Sequence, residues 1–210
     1  MVIIITMEEI VDEKVAKTIT NYKQWMIGTT MPQGQVLTKP SFTEHPERNY
    51  DLRNSVIKRY LQHEDQTYGI NLGWTDDGSE ATGKKVARWF FARKGNAEGP
   101  LKYGEKIALG NGGKPSFLNY EHRTVGINLD YANDPPYEWM VLGGKIGDPV
   151  KTHDLVALYN VKCEECLIYF DRTRGGDIGW PTSQTWLGQI SDAVWNEVRS
   201  KALAALLAAV

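Results

Sequence analysis

An Asn or Asp stands three residues ahead of an aromatic in three places: Asn71 with Trp74, Asn128 with Tyr131, and Asp177 with Trp180. Residues of these types can recognise a sugar. A flat aromatic face packs against the apolar C–H side of the ring, and a nearby amide or carboxylate exchanges hydrogen bonds with its hydroxyls. The middle set is the richest in polar groups, with Asp130 beside Tyr131. The last is followed by Gln184. The candidate carbohydrate-binding residues are therefore Asn71, Trp74, Asn128, Asp130, Tyr131, Asp177, Trp180 and Gln184. The same residue types also have a structural use. An Asn or Asp at a turn ties down backbone, and an aromatic beside it can cap a barrel. Trp74 shares strand parity with Ile70 and Leu72, which are core candidates.

Other chemistries find less support. There is no Gly-x-Ser-x-Gly, no His-Glu-x-x-His and no phosphate-binding Walker loop, so no catalytic residue is assigned and the chain reads as a non-enzyme. Gly110-Asn-Gly-Gly-Lys114 is followed by a strand pattern instead of the helix start that would hold a phosphate. Asp76-Asp77 begins no calcium-ligand series. Cys163 and Cys166 form a Cys-x-x-Cys, but the four His are scattered and offer no second half of a zinc site. A redox pair would favour a helix start there, whereas Leu167-Ile-Tyr-Phe170 reads as a strand. No cofactor and no metal is implied.

The elements that would position the aromatic–amide sets form a repeat. Tyr60–Trp74, Phe117–Tyr131 and Cys166–Trp180 align without a gap. Leu61, Leu118 and Leu167 correspond, as do Thr67, Thr124 and Thr173, then Gly69, Gly126 and Gly175. Upstream, Leu52-Arg-Asn54 matches Leu109-Gly-Asn111 and Leu158-Tyr-Asn160. Downstream, each copy meets a Trp strand, at Trp89, Trp139 and Trp186. Within the copies apolar residues alternate with period two and Gly-rich turns intervene. That predicts four short strands per copy. His63, Tyr120 and Tyr169 fall on the parity of the core Leu residues and are expected at the core or its edge.

Three such units of roughly fifty residues cannot each close a core, but together they can form a barrel with a hairpin cap. The pattern resembles a β-trefoil, of the ricin-B-like and fascin-like kinds, over residues 50–190. The likeness is at the level of architecture. The ricin-type Gln-x-Trp signature occurs once, at Gln184-Thr-Trp186. The resemblance implies an all-β core that binds glycans or glycoconjugates.

Helices are expected on both sides of that core. In the first segment, residues 1–49, Val11, Val15, Ile19, Tyr22 and Met26 place one apolar stripe on a helix over 8–27, followed by a linker over 29–49. In the last, residues 191–210, Val194, Val198, Ala202 and Leu206 make a second stripe, with Ser191 as N-cap. Past Lys201 this helix is apolar all round. It needs a partner: the first helix, the open barrel end, a second protomer in a homodimer, or a lipid surface.

Composition narrows the choices. The chain has 210 residues, 41% hydrophobic and 24% charged, an ordinary globular balance and not that of a disordered chain. With 24 Lys+Arg against 26 Asp+Glu there is no basic excess for nucleic acid. The apolar start, Met1 to Met7, has no basic leader, so synthesis in the cytoplasm without a signal peptide is expected, with a leaderless route open for release. The functional expectation is a lectin-like carbohydrate-binding protein. Two alternatives stay open. One is a toxin or toxin subunit whose trefoil binds a receptor while the C-terminal helix engages membrane or a partner. The other is a protease inhibitor acting through the loop Thr75 to Lys85.

Overall fold

The structure, a computed structural model, describes residues 7–38, 50–67, 69–76, 88–114, 116–124, 126–169, 171, 177–181 and 191–208. It is mostly β-sheet with a helix at each end. Helix α1 spans Met7–Tyr22 and helix α2 spans Asp192–Leu207. Between them run β1 (Trp25–Ile27), β2 (Leu52–Asn54), β3 (Tyr60–His63), β4 (Leu72–Thr75), β5 (Trp89–Arg93) and β6 (Lys106–Asn111). Then come β7 (Ser116–Asn119), β8 (Asp130–Ala132), β9 (Trp139–Leu142), β10 (Leu155–Asn160) and β11 (Glu165–Leu167). The strands join antiparallel in the order β4-β3-β2-β1-β10-β9-β6-β7-β8, with β11 on β10 and β5 on β6.

The first helix is shorter than its apolar spacing suggests. It stops at Tyr22, and Trp25–Ile27 is a strand paired with both β2 and β10. Trp25 and Ile27 are fully buried and Met26 between them is half-buried, the alternation of a strand. A further turn of helix would have drawn Trp25 out of that slot. Nor is the segment after β1 simply a linker. Leu37 is fully buried, and Val36 and Thr38 make β-bridges to Lys151 and Pro100.

Three relationships recur around the sheet. The indole N–H of Trp89 donates to the Leu61 carbonyl at 2.8 Å, that of Trp139 to Leu118 at 2.7 Å, and that of Trp25 to Leu167 at 2.7 Å. The expected third Trp of this set, Trp186, lies outside the described residues, and Trp25 makes the matching bond. Next, the buried amides of Asn54, Asn111 and Asn160 each accept from the backbone N–H two residues ahead, at 2.9, 2.8 and 2.9 Å. Each side chain thereby closes its own hairpin turn. Finally, Asn54 and Asn160 donate to Gln24 and Glu138, the residues just before Trp25 and Trp139. Those acceptors in turn take the backbone N–H groups of Tyr169 and Tyr120. These buried polar groups satisfy one another, as a dry core requires.

The main core is one large cluster. Trp25, Trp89 and Trp139 pack with Leu52, Leu61, Leu109, Leu118, Leu158 and Leu167, all essentially without exposure. Burying one such side chain contributes on the order of 2 kcal/mol or more.

The two helices pack on each other and on this sheet. Val11 clusters with Trp195 and Val198, and Tyr22 belongs to a second cluster with Leu142, Ala157, Cys166, Ile168, Ala202 and Leu206. Ser191 caps α2 by accepting from the Val194 N–H at 3.4 Å. The stripe through Val198, Ala202 and Leu206 is buried as spaced. The other face, although apolar past Lys201, is open, with Leu207 41% exposed. Among the described residues no helix is long and apolar enough to cross a membrane.

Candidate functional site

The eight residues that the sequence points to part company in the structure. Asn71 and Asn128 are spent on local turns. The Asn71 side chain accepts from the Gln66 N–H at 3.1 Å, and that of Asn128 from the Arg123 N–H at 3.0 Å. Asp130 is exposed; it accepts from the Tyr131 N–H and lies 3.8 Å from Arg123. Gln184 lies outside the described residues.

The three aromatics sit as a second tier on the core. Trp74 stacks on Trp25 with centroids 6.0 Å apart, and Trp180 stacks on Trp139 at 6.0 Å. Tyr131 packs on the same core. Each then meets one core-edge ring: Trp74 with Tyr169, Tyr131 with His63, and Trp180 with Tyr120, at 5.9, 5.7 and 5.9 Å. Burial raises the Tyr131 hydroxyl above its ordinary pKa and lowers that of His63. The Tyr131 hydroxyl donates to the Asn71 carbonyl at 3.2 Å, tying β8 to the turn before β4. These rings are half-buried, so their first task is to cap the core.

Two of the eight do converge, at the side of that tier. Trp74 and Asp177 line one pocket of about 320 Å3, together with Arg59, Glu64, Gln66 and Gly73. That is about the lower end of volumes that hold small ligands. Strand pairing explains the gathering. β3 and β4 lie side by side, Leu61 opposite Trp74, so the ends of both strands present side chains to one edge. The bridge between Ile168 and Gly179 brings in the last repeat, and the buried side chain of Ile178 anchors Asp177 at the pocket rim.

The pocket's polar groups bond to their neighbours. Arg59 donates to Asp76 at 2.7 Å and to the Trp74 carbonyl at 3.2 Å. Gln66 donates to the Leu72 carbonyl at 3.4 Å. Glu64 accepts from Gln62 at 3.2 Å and lies over Gly73, where a Cβ would fall 1.8 Å from its carboxylate oxygen. A side chain at position 73 would displace the exposed Glu64 carboxylate. Burial raises the Tyr169 hydroxyl pKa, and the charges of Asp177 and Asp171 add to the effect. The result is an aromatic wall with carboxylate acceptors and amide and guanidinium donors around it.

The cysteine pair offers no comparable chemistry. Burial pushes the Cys163 thiol up to about 12, and it holds Cys166, fully buried in β11, well above the ordinary range. Both therefore stay protonated and weakly nucleophilic.

No family model and no curated protein matches the sequence.

Arg59, Glu64 and Gln66 are not among the residues that the sequence points to. In the repeat alignment Arg59 falls opposite Ser116 and Glu165, and Gln66 opposite Arg123 and Arg172. Glu64 keeps its type only in Glu121. Features shared by all copies pass over these positions.

Proposed function

We propose that the chain is a β-trefoil protein that binds carbohydrate through the pocket at Trp74. The trefoil reading is supported by the three Trp-to-Leu bonds, one for each sequence repeat. In this reading the first repeat begins at Trp25 and not at Tyr50. The ricin-B-like likeness remains one of architecture.

The observation that carries the binding reading is the convergence of Trp74, Glu64, Gln66 and Asp177, with the guanidinium of Arg59, on one pocket. A sugar presents an apolar face and a rim of hydroxyls. The indole takes the first. The carboxylates accept from hydroxyls, and Arg59 and Gln66 donate to them. Glu64 and Asp177 against Arg59 leave a net negative lining, which favours neutral or amino sugars over acidic ones. The second and third repeats contribute capping rings, so one pocket is expected to bind and not three.

The packing of α2 on α1 and the sheet through Trp195, Val198, Ala202 and Leu206 favours this reading over a membrane-engaging toxin. The loop proposed for a protease inhibitor falls largely outside the described residues. A glycan array with pure, folded protein tests the proposal: binding to a defined group of neutral or amino sugars is expected, and silence on every glycan sinks it.

A further inference from the structure

A second cleft lies apart from the Trp74 pocket, between the α1–β1 turn and the β9–β10 loop. Its volume is about 470 Å3. Three lysines line it from segments far apart in the chain: Lys23 from the turn, Lys145 and Lys151 from the loop. Lys23 is fixed by donating to the Gly143 carbonyl at 3.0 Å. Gly143 and Gly144 let Lys23 and Tyr103 pack directly on the backbone. Gly143 has φ +117, and a Cβ there would lie 2.9 Å from the Lys23 side chain; a Cβ at Gly144 would lie 2.3 Å from the Tyr103 ring.

Two carboxylates share the lining. One oxygen of Asp154 already accepts from the Tyr103 hydroxyl at 2.7 Å and from the Lys151 backbone N–H at 3.0 Å. Asp148 is exposed at the rim. Among the described residues no carboxylate forms an ion pair with Lys23, Lys145 or Lys151. Three lysines against Asp148 and Asp154 leave the cleft lining with one positive charge in excess. The mutual repulsion of the lysines is relieved by an anion seated among them.

We propose that this cleft binds a phosphate or sulfate group, either free or carried on a sugar. The lysines supply charge-assisted donors at points around the anion. The site is independent of the Trp74 pocket and stands if that reading fails.

The test is an NMR titration of the full chain at constant ionic strength. The probes are inorganic phosphate, inorganic sulfate, a sulfated disaccharide and its unsulfated parent. Saturable shifts at the amides of Gly143, Gly144 and Lys145 are expected with the anionic probes. They should weaken about tenfold or more in Lys145→Glu/Lys151→Glu, whose side chains are exposed, and persist in Asp177→Ala. Tighter binding of the sulfated disaccharide than of free sulfate assigns the group to a sugar; equal or weaker binding assigns it to the free anion. Absence of saturable shifts, shifts unchanged in the lysine variant, or equal binding of the unsulfated parent overturns the proposal.

Discussion

Trp25 donates its indole N–H to the Leu167 carbonyl at 2.7 Å, across 142 positions of the chain. This bond joins β1, the strand after the first helix, to β11, the last strand among the described residues. The same bond ties Trp89 to Leu61 and Trp139 to Leu118. Trp25 therefore belongs to the sheet and not to the flanking helix.

Replacing Trp25 should cost as much as replacing either of its counterparts. Trp25→Phe removes the donor and strands a buried carbonyl, a loss of about 1–3 kcal/mol. Trp25→Ala also opens a cavity and should lose about 3–5 kcal/mol. Urea unfolding of the Trp25, Trp89 and Trp139 variants side by side checks this. A Trp25 variant far milder than the others would remove Trp25 from the set.

The turn-closing amides make a contrasting prediction. Asn71→Ala and Asn128→Ala each delete one side-chain acceptor for a backbone N–H, at Gln66 and Arg123. Each should lower stability by about 1 kcal/mol. Asn128→Ala should leave glycan binding intact, because Asn128 does not line the Trp74 pocket. Thermal melts paired with a binding assay separate the two effects.

Glu165 makes stability depend on pH. It is buried where α1, β11 and α2 meet, accepting from the Tyr22 hydroxyl at 3.0 Å with Arg199 at 3.4 Å. Burial raises its pKa from 4.5 to about 7, against the lowering effects of Tyr22 and Arg199. The folded state thus holds this proton more tightly than the unfolded one. The stability it contributes is full below the unfolded pKa and is lost as pH rises toward and through about 7. Glu165→Gln keeps an acceptor for Tyr22 and cannot ionise. Its stability relative to the wild type should rise by about 2 kcal/mol between about pH 5 and about pH 8. Chemical denaturation at both pH values reads this, and a flat difference would contradict it.

Docking of the second helix gives a further prediction. Val198 is fully buried against Val11 and Trp195. Val198→Asp should free α2 and cost about 3 kcal/mol or more, since an unpaired charge would be buried. Liposome leakage by the wild type is not expected, because the apolar stripe is already covered by α1 and the sheet.

The parts legible in sequence are those with a local rhythm. The Leu and Asn correspondences emerge because each copy keeps its own hairpin, and Asn54, Asn111 and Asn160 do the same job in each. The apolar stripe of α2 is likewise legible from Val198, Ala202 and Leu206. Trp25 escapes because Val11, Val15, Ile19, Tyr22 and Met26 keep helical spacing past the point where the helix ends. What ends the helix is a partner at Leu167, and no local window contains it. The shared acceptor before the Trp, Gln24 and Glu138, is the available clue. At the site, the repeated Asn is conspicuous because it builds turns. Of the residues that form the pocket, Arg59 and Gln66 change type from copy to copy, and Glu64 is matched only by Glu121.

The pocket at Trp74 is the proposed carbohydrate site. Trp74→Ala alone would be ambiguous, since Trp74 also stacks on the core. The most direct measurement is a calorimetric titration of wild type and Gln66→Ala/Asp177→Ala with a glycan that the array selects. Saturable binding by the wild type and a loss of about tenfold or more in the variant are expected, with both proteins folded. Equal binding by the two would contradict the proposal.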